Sequence, residues 1–200
     1  MTRKLLFQGA EAKIFLNNNI ITKSRVQKSY RHPDLDNKIR TKRTRHEARV
    51  LTKALGCGVN VPKVLSVDTF DIQIEFIAGD RLSDTLNSYD HTKQFAVMQE
   101  IGNQTATIHD NDIIHGDLTT SNIILSNEKI FLIDFGLGFI SKKIEDKAVD
   151  IHLIKQALEA KHFQNHAKLF ENFLKGYNSK EKEKILERLE AVEKRGRYRH

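Results

Sequence analysis

Two short apolar runs, Ile123-Ile124-Leu125 and Ile130-Phe131-Leu132-Ile133, flank the polar triplet Ser126-Asn127-Glu128. Each run has the length of a short strand and the triplet has turn composition, so the segment predicts a β-hairpin. A hairpin brings its two ends back to one place. Here the ends are Asn122 and Asp134, and Asp117 lies five residues before Asn122. The polar stretches His115-Gly116-Asp117-Leu118-Thr119-Thr120-Ser121-Asn122 and Asp134-Phe135-Gly136 are thereby drawn to one cleft. A reading without chemistry, with a plain turn at His115-Gly116-Asp117 and an ordinary strand end at Asp134, leaves the joint spacing unexplained.

Two carboxylates and an amide so placed suit phosphoryl transfer. That reaction needs one carboxylate to orient the attacking oxygen, and an Asn with a second Asp to hold magnesium against the phosphates. Asp117 fills the first role, as base or water-positioning group, and Asn122 and Asp134 the second. Their intervals match the protein-kinase catalytic loop H-R-D-L-x-x-x-N and the D-F-G that follows it. Upstream, Lys4 to Phe7, Ala12 to Leu16 and Ile20 to Lys23 read as three strands, with Asn17-Asn18-Asn19 as a tight turn. Gly9, Ala10 and Glu11 fall where a kinase carries its phosphate-covering loop, although a plain turn fits that stretch too. Lys23 ends the third strand, where the phosphate-gripping Lys should stand. Asp34 or Asp36 can cap a helix running to about Leu55, with Leu35, Ile39, Val50, Leu51, Ala54 and Leu55 as its apolar positions. Glu47 on that helix is the partner expected for Lys23, against the simpler reading of local ion pairs along the helix.

Val64 to Val67 and Ile72 to Phe76 read as two further strands, and Glu75 to Gly79 as a hinge. At that place in a kinase the backbone reads adenine, which makes the Glu75 carbonyl and the Ile77 amide the candidates. Thr92 to His109 carries Phe95, Met98, Ile101, Thr105 and Ile108 on one face and predicts a core-facing helix. Helices follow near 147–160, 166–175 and 179–194. No Ala-Pro-Glu follows Asp134 and Pro is absent after Pro62, so a long activation segment and the usual substrate-docking helices do not fit. The expectation is α+β: a two-lobed, minimal protein-kinase-like fold. A small amino-terminal antiparallel sheet with one helix occupies 1–78, a reduced, mainly helical lobe 79–193, and a basic tail 194–200.

Composition narrows the setting. The longest apolar runs fall far short of the ~20 residues of a membrane span, and Met1 to Gly9 is too brief for a signal-peptide core. Cys57 is alone, so no internal disulfide forms, and a cytoplasmic location is expected. The net charge of +7 is uneven. Residues 23–53 hold eleven Lys/Arg against three Asp/Glu, a net of +8, while 54–193 carry −7. The tail adds Lys194, Arg195, Arg197 and Arg199. Such density attracts polyanions, against the plainer reading of a solvated helix face. In the tail we read an unburied arm with RNA as its partner.

Several blocks together resemble one known family. They are Gln8 to Ala12, Lys28 to Pro33, Arg43 to Arg49, His115 to Asn122, Ile133 to Gly138, Glu145 to Asp150 and the closing Arg195-Gly196-Arg197. The resemblance is to the small atypical Ser/Thr kinases of the KEOPS (EKC) complex, the PRPK family, which are Rio-like. It implies binding of ATP and Mg2+, with Mn2+ as a substitute, autophosphorylation, and action mainly as an ATPase supporting threonylcarbamoyladenosine modification of tRNA. It further implies a KEOPS transferase subunit on the carboxyl-terminal lobe, a small regulatory subunit on the amino-terminal lobe, and tRNA reached through the basic tail. Thr119, where many protein kinases have Lys, and Gly116, in place of the Arg that reads a phosphorylated activation loop, depart from ordinary kinases. A free-standing Rio-like Ser/Thr protein kinase is the alternative.

Overall fold

A computed structural model describes residues 4–197, with side chains as far as Arg195. The amino-terminal half is a five-stranded antiparallel sheet of β1 (Lys4–Gln8), β2 (Ala12–Asn17), β3 (Ile20–Arg25), β4 (Val64–Val67) and β5 (Asp71–Glu75). Its spatial order is β1-β2-β3-β5-β4. Asn18 and Asn19 turn β2 into β3 with φ of 46° and 62°. That pair of left-handed residues closes a tight hairpin, and Asn tolerates the conformation better than most.

Between β3 and β4 runs α1 (Pro33–Gly56). Its amino-terminal cap is His32, with Pro33 in the first turn, and no side chain caps it. The expected cap at Asp34 or Asp36 is therefore corrected. Asp36 is fully buried instead, accepting from Arg40 Nε at 2.6 Å and from the Lys28 amide at 3.3 Å. Charge rather than apolar burial holds this end of the helix, and Leu35, expected on the core face, lies 53% exposed. Val50, Leu51 and Ala54 do face the core, while Leu55 at the far end does not.

The carboxyl-terminal half begins with β6 (Asp80–Arg81) and the one-turn α2 (Leu82–Thr85). The long α3 (His91–Asp110) follows, its first amides capped by Asp90. Then come β7 (Ile113–Ile114), the hairpin β8 (Ile123–Ser126) and β9 (Lys129–Leu132), β10 (Phe139–Ile140), and helices α4 (Ile144–Lys161), α5 (His166–Gly176) and α6 (Lys182–Arg197). The pairs β6–β8 and β7–β10 are two residues long, too short to carry any periodicity. Helix α5 packs so tightly on α3 that a Cβ on Gly176 would lie 1.8 Å from the Gln99 carbonyl oxygen. The core runs without a break from α1 through β8 and β9 to α4 and α5.

One expectation fails in this half. Residues from Lys194 were expected to leave the body as an arm, but α6 continues to Arg197. Arg195 turns back to the body, with Nη1 2.7 Å from Glu145 Oε1. The helix extends because Glu190 to Arg197 contains no breaker before Gly196, and α4 offers an acidic partner. Arg199 lies outside the described residues.

Candidate active site

The loop between β7 and β8 is hung from α4. Asp150, fully buried, accepts from the backbone amides of His115 at 2.6 Å and Gly116 at 2.8 Å. His109 Nε2 lies 3.3 Å from the same carboxylate, and its Nδ1 lies 2.8 Å from the Tyr177 hydroxyl. Gly116 has φ of +76°, and a Cβ there would meet the Leu137 carbonyl oxygen at 2.3 Å. Neither an Arg nor any other side chain fits that position without moving the loop.

The hairpin register pairs Ile123 with Leu132, and the Ile133 amide donates to the Asn122 carbonyl at 2.9 Å. Asn122 and Asp134 therefore stand side by side, as the hairpin predicts. Asn122 Nδ2 donates to the Asp117 carbonyl at 2.9 Å and to Asp117 Oδ2 at 2.8 Å, which leaves the Asn122 amide oxygen as the acceptor that faces away from that bond. Asp134 takes the left-handed conformation, φ 61°. A non-glycine residue held there is strained, and such strain collects at functional sites. The Asp134 turn is braced from behind, where the His115 ring packs 4.4 Å from the Phe135 ring and its Nε2 lies 3.1 Å from the Ile133 carbonyl oxygen. Burial holds the His115 pKa below the ordinary imidazole value, so the brace is a neutral ring.

Across the cleft, Lys23 Nζ lies 2.8 Å from Glu47 Oε1 and 2.6 Å from Asp134 Oδ1. Burial alone would lower the Lys23 pKa, but the two carboxylates outweigh it and raise it. For Asp134 burial pulls upward and the Lys23 ammonium outweighs it downward, so the carboxylate stays ionised. Between the halves lies a cavity of about 470 Å³. Its walls include Ile14, Ile21, Ile74, Ile77, Ile124 and Ile133, with Lys23, Glu47, Asn122 and Asp134 at the polar end. This is the usual composition of a small-molecule site, apolar walls with a few convergent polar groups.

The structure thus brings together Lys23, Glu47, Asn122 and Asp134, with Asp117 bonded to Asn122 and with Glu75 and Ile77 on the cavity wall. Gly9, Ala10 and Glu11 form the β1–β2 turn, closed by the Gly9 amide on the Ala12 carbonyl at 3.0 Å. They do not line the cavity, whose roof comes from Leu6 and Phe7. Glu11 faces α1 instead, 2.5 Å from Arg43. Lys194 and Arg195 lie at the end of α6 and do not line this cavity. Three residues escaped the sequence reading. Asp150 and His109 support the loop through buried bonds, and Arg25 places Nη2 2.7 Å from Glu47 Oε2. Arg25 left a local signal, since it stands two residues after Lys23 and so projects from the same side of β3, and Asp150 closes the Glu145 to Asp150 block that is part of the family resemblance.

Comparison with known proteins agrees with the family resemblance and with a kinase-like fold. Residues 15–143 match the family model described as the RIO domain. The chain is 42% identical to "KEOPS complex subunit Bud32" of Pyrococcus abyssi, over 98% of this chain and 96% of that protein. It is 37% identical to the "Probable serine/threonine-protein kinase BUD32 homolog" of Archaeoglobus fulgidus, over 96% and 95%. A "Probable bifunctional tRNA threonylcarbamoyladenosine biosynthesis protein" of Methanosarcina barkeri is 37% identical, but there the match fills 36% of the longer protein. Among solved structures, the streptomycin–ATP complex of APH(2″)-IIa superposes with a TM-score of 0.66 at 14% identity, covering 96% of this chain and 82% of that one. WaaP bound to acyl carrier protein gives 0.69 at 13%, covering 98% and 88%. These two share the fold.

Proposed function

The chain belongs to the RIO-domain family and, within it, to the Bud32 proteins, and from that membership we propose an ATP- and magnesium-dependent kinase-fold subunit of a KEOPS-type complex. It acts mainly as an ATPase in support of threonylcarbamoyladenosine formation on tRNA. One observation carries the reading: Lys23, Glu47, Asn122 and Asp134, from β3, α1, the 115–122 loop and the turn after β9, converge at one apolar cavity, with Asp117 bonded to Asn122 beside it. They do so in a chain whose relatives match along nearly its whole length.

The residues fit a magnesium ion. Mg2+ is held by one or two protein oxygens, with phosphates and water completing its shell. Asp134, ionised and half-exposed, and the amide oxygen of Asn122 offer that pair; Mn2+ suits the same donors. Among the described residues no cluster of three His, Cys, Asp or Glu could form a dedicated protein cage. The ion would neutralise charge between the phosphates as the bond to the leaving oxygen breaks.

The chain's own residues do the rest. Adenine sits among the isoleucines and is read by the Glu75 carbonyl and the Ile77 amide. Lys23 exchanges its bond to Asp134 for the α and β phosphates, with Glu47 behind it. The turn at Gly9, Ala10 and Glu11, which does not line the cavity, covers the phosphates only by closing over it. Asp117, fixed by the Asn122 amide, orients the attacking oxygen. Among the described residues no Ala-Pro-Glu block follows Asp134, and the acceptor in this reading is water or the protein itself rather than assorted proteins.

For partners, the transferase subunit takes the carboxyl-terminal lobe and a small regulatory subunit the amino-terminal lobe. RNA takes the basic surfaces: Lys38, Lys42, Arg45 and Arg49, which line an open groove along α1, and Lys194 and Arg195 at the end of α6. The setting is the cytoplasm.

The test is ATP turnover with and without the transferase partner and tRNA. We expect stimulation by both, and loss of turnover in Asp117→Ala and in Asp134→Ala; turnover unchanged in both variants rejects the proposal. A second reading, a free-standing Rio-like Ser/Thr kinase, is favoured by the Lys23–Glu47 pair being assembled within a single chain. It predicts stoichiometric phosphate transfer to protein without any partner.

A further inference from the structure

Kinase-type clamps depend on where the helix bearing the glutamate sits. Here that helix is α1, and the segment that commonly pins it is short: β10 and its flanks lead from Gly136 to α4 within eight residues. The closely packed Gly116 stands where an arginine would read a phosphate on such a segment. His46 Nε2 of α1 does lie 2.8 Å from the Gly138 carbonyl oxygen of this segment, but that contact leaves Glu47 itself untouched, so the countercharge that fixes Glu47 when Lys23 turns away has to come from elsewhere.

Arg25 supplies it. Lys23 and Arg25 point to the same side of β3, and each takes one oxygen of Glu47, Lys23 Nζ at 2.8 Å from Oε1 and Arg25 Nη2 at 2.7 Å from Oε2. The side chains of Arg25 and Glu47 are 5% and 2% exposed. Lys23 is a divided partner, bonded also to Asp134, and its proposed work requires it to turn toward phosphates. A buried carboxylate whose single cation leaves is strongly destabilised. With Arg25 in place, Glu47 never loses its countercharge.

Arg25 is itself tied down. Its amide donates to the Phe70 carbonyl at 3.0 Å, and its carbonyl accepts from Arg40 Nη1 of α1 at 3.4 Å. Arg40 in turn lies 3.7 Å over the Phe70 ring and bonds Asp36. Arg25 Nε is buried with no hydrogen-bond partner among the described residues. A buried donor left unmet calls for an explanation, and the Glu47 bond provides one.

We propose that Arg25 is a positioning residue that keeps Glu47, and α1 with it, in the phosphate-gripping arrangement whether or not Lys23 is engaged. The clamp is therefore permanently assembled and needs no phosphorylated segment. This rests on the nucleotide-site reading above, so the test has one arm that does not use nucleotide.

That arm is hydrogen exchange of the amides 44–50 in the free protein. In Lys23→Met they stay as slow as in the wild type; in Arg25→Met they exchange faster. The second arm is ATP turnover, where Arg25→Met loses on the order of 10- to 100-fold, Arg25→Lys recovers part of it, and Arg25→Met adds no further loss in a Lys23→Met background. A general structural role for Arg25 would instead lower stability in both backgrounds and leave the two losses additive. Unchanged exchange and turnover in Arg25→Met, or release of α1 by Lys23→Met alone, overturns the proposal. If Arg25→Met does not fold, Arg25→Lys decides, since wild-type exchange and turnover in that variant also overturn it. A wild type without ATP turnover would sink the nucleotide reading but leave the exchange result standing.

Discussion

The two halves of the cleft are held by opposite means. On the loop side, Asp117 and Asn122 are placed by backbone: two amides on Asp150, a neutral His115 ring against Phe135, and a hairpin that sets Asn122 beside Asp134. On the clamp side, Lys23 is placed by charge: Glu47, Arg25 and Asp134 form a chain of ion pairs across β3, α1 and the turn after β9. Backbone bonds fix a position, whereas ion pairs let a cation trade partners. The loop side suits groups that must stay, and the clamp side a group that must move.

Asp134 belongs to both halves, and its replacement has the largest effect. Asp134→Asn keeps the shape and removes the charge that pairs with Lys23 and that would face the metal. We expect ATP turnover to fall on the order of 10³-fold with little change in melting temperature, because the side chain is half-exposed. Calorimetry beside a turnover assay checks this. A large loss of stability would mean that Asp134 is a structural ion pair first.

On the loop side the balance reverses. Asp150→Ala strips the partner from two amides and leaves His109 facing a gap, at full burial. Leaving such groups unmet costs about 3 kcal/mol, or roughly 6–12 °C in melting temperature for a chain of this size. Turnover should fall with it, even at temperatures where the variant is folded, because Asp117 loses its place. Denaturant unfolding that gives wild-type stability would show that α4 does not carry the loop.

This contrast also explains how much the sequence disclosed. The loop half lies within 115–136, and its spacing alone predicts the hairpin and the adjacency of Asn122 and Asp134. Five strands of the amino-terminal sheet and the long helices announce themselves by period and by turn residues such as Asn18 and Asn19. What stayed hidden depends on distance along the chain. Asp150 is 35 residues from the amide it accepts, and the Arg25–Glu47 bond spans 22; no local pattern encodes either. Two-residue strands carry no period. Asp36 looked like a helix cap because Asp often caps, but Arg40, Arg31 and the Lys28 amide take its carboxylate instead. The end of α6 looked like a free arm because its charges seemed to lack partners, and Glu145 is 50 residues away.

A smaller effect sharpens the neutral-ring side of the comparison. The His115 pKa is depressed by burial below the ordinary 6.5, so between the two values the unfolded chain binds the extra proton. Stability is then full above about pH 6.5 and declines as pH falls through that window. Melting temperatures measured from about pH 7.5 down to 5 should show the decline, and His115→Asn should show less of it. Burial depresses His162 as well, so some dependence persists in the variant. Identical slopes in the two proteins would place the titration elsewhere.

The smallest effect on the fold concerns the end of α6, where an ion pair is neither buried nor asked to move. Arg195 is 63% exposed and its partner Glu145 also pairs with Arg188. Exposed pairs are screened and contribute little, so Arg195→Ala should leave the melting temperature within error. If Arg195 instead meets an RNA phosphate in the assembled complex, the substitution removes one released counterion. The plot of log affinity against log salt should then become shallower by about 0.7 to 0.9, with ATP turnover of the free chain unchanged. A slope equal to that of the wild type would confine RNA to the stripe on α1, where Lys42→Ala and Arg49→Ala ought to change it instead.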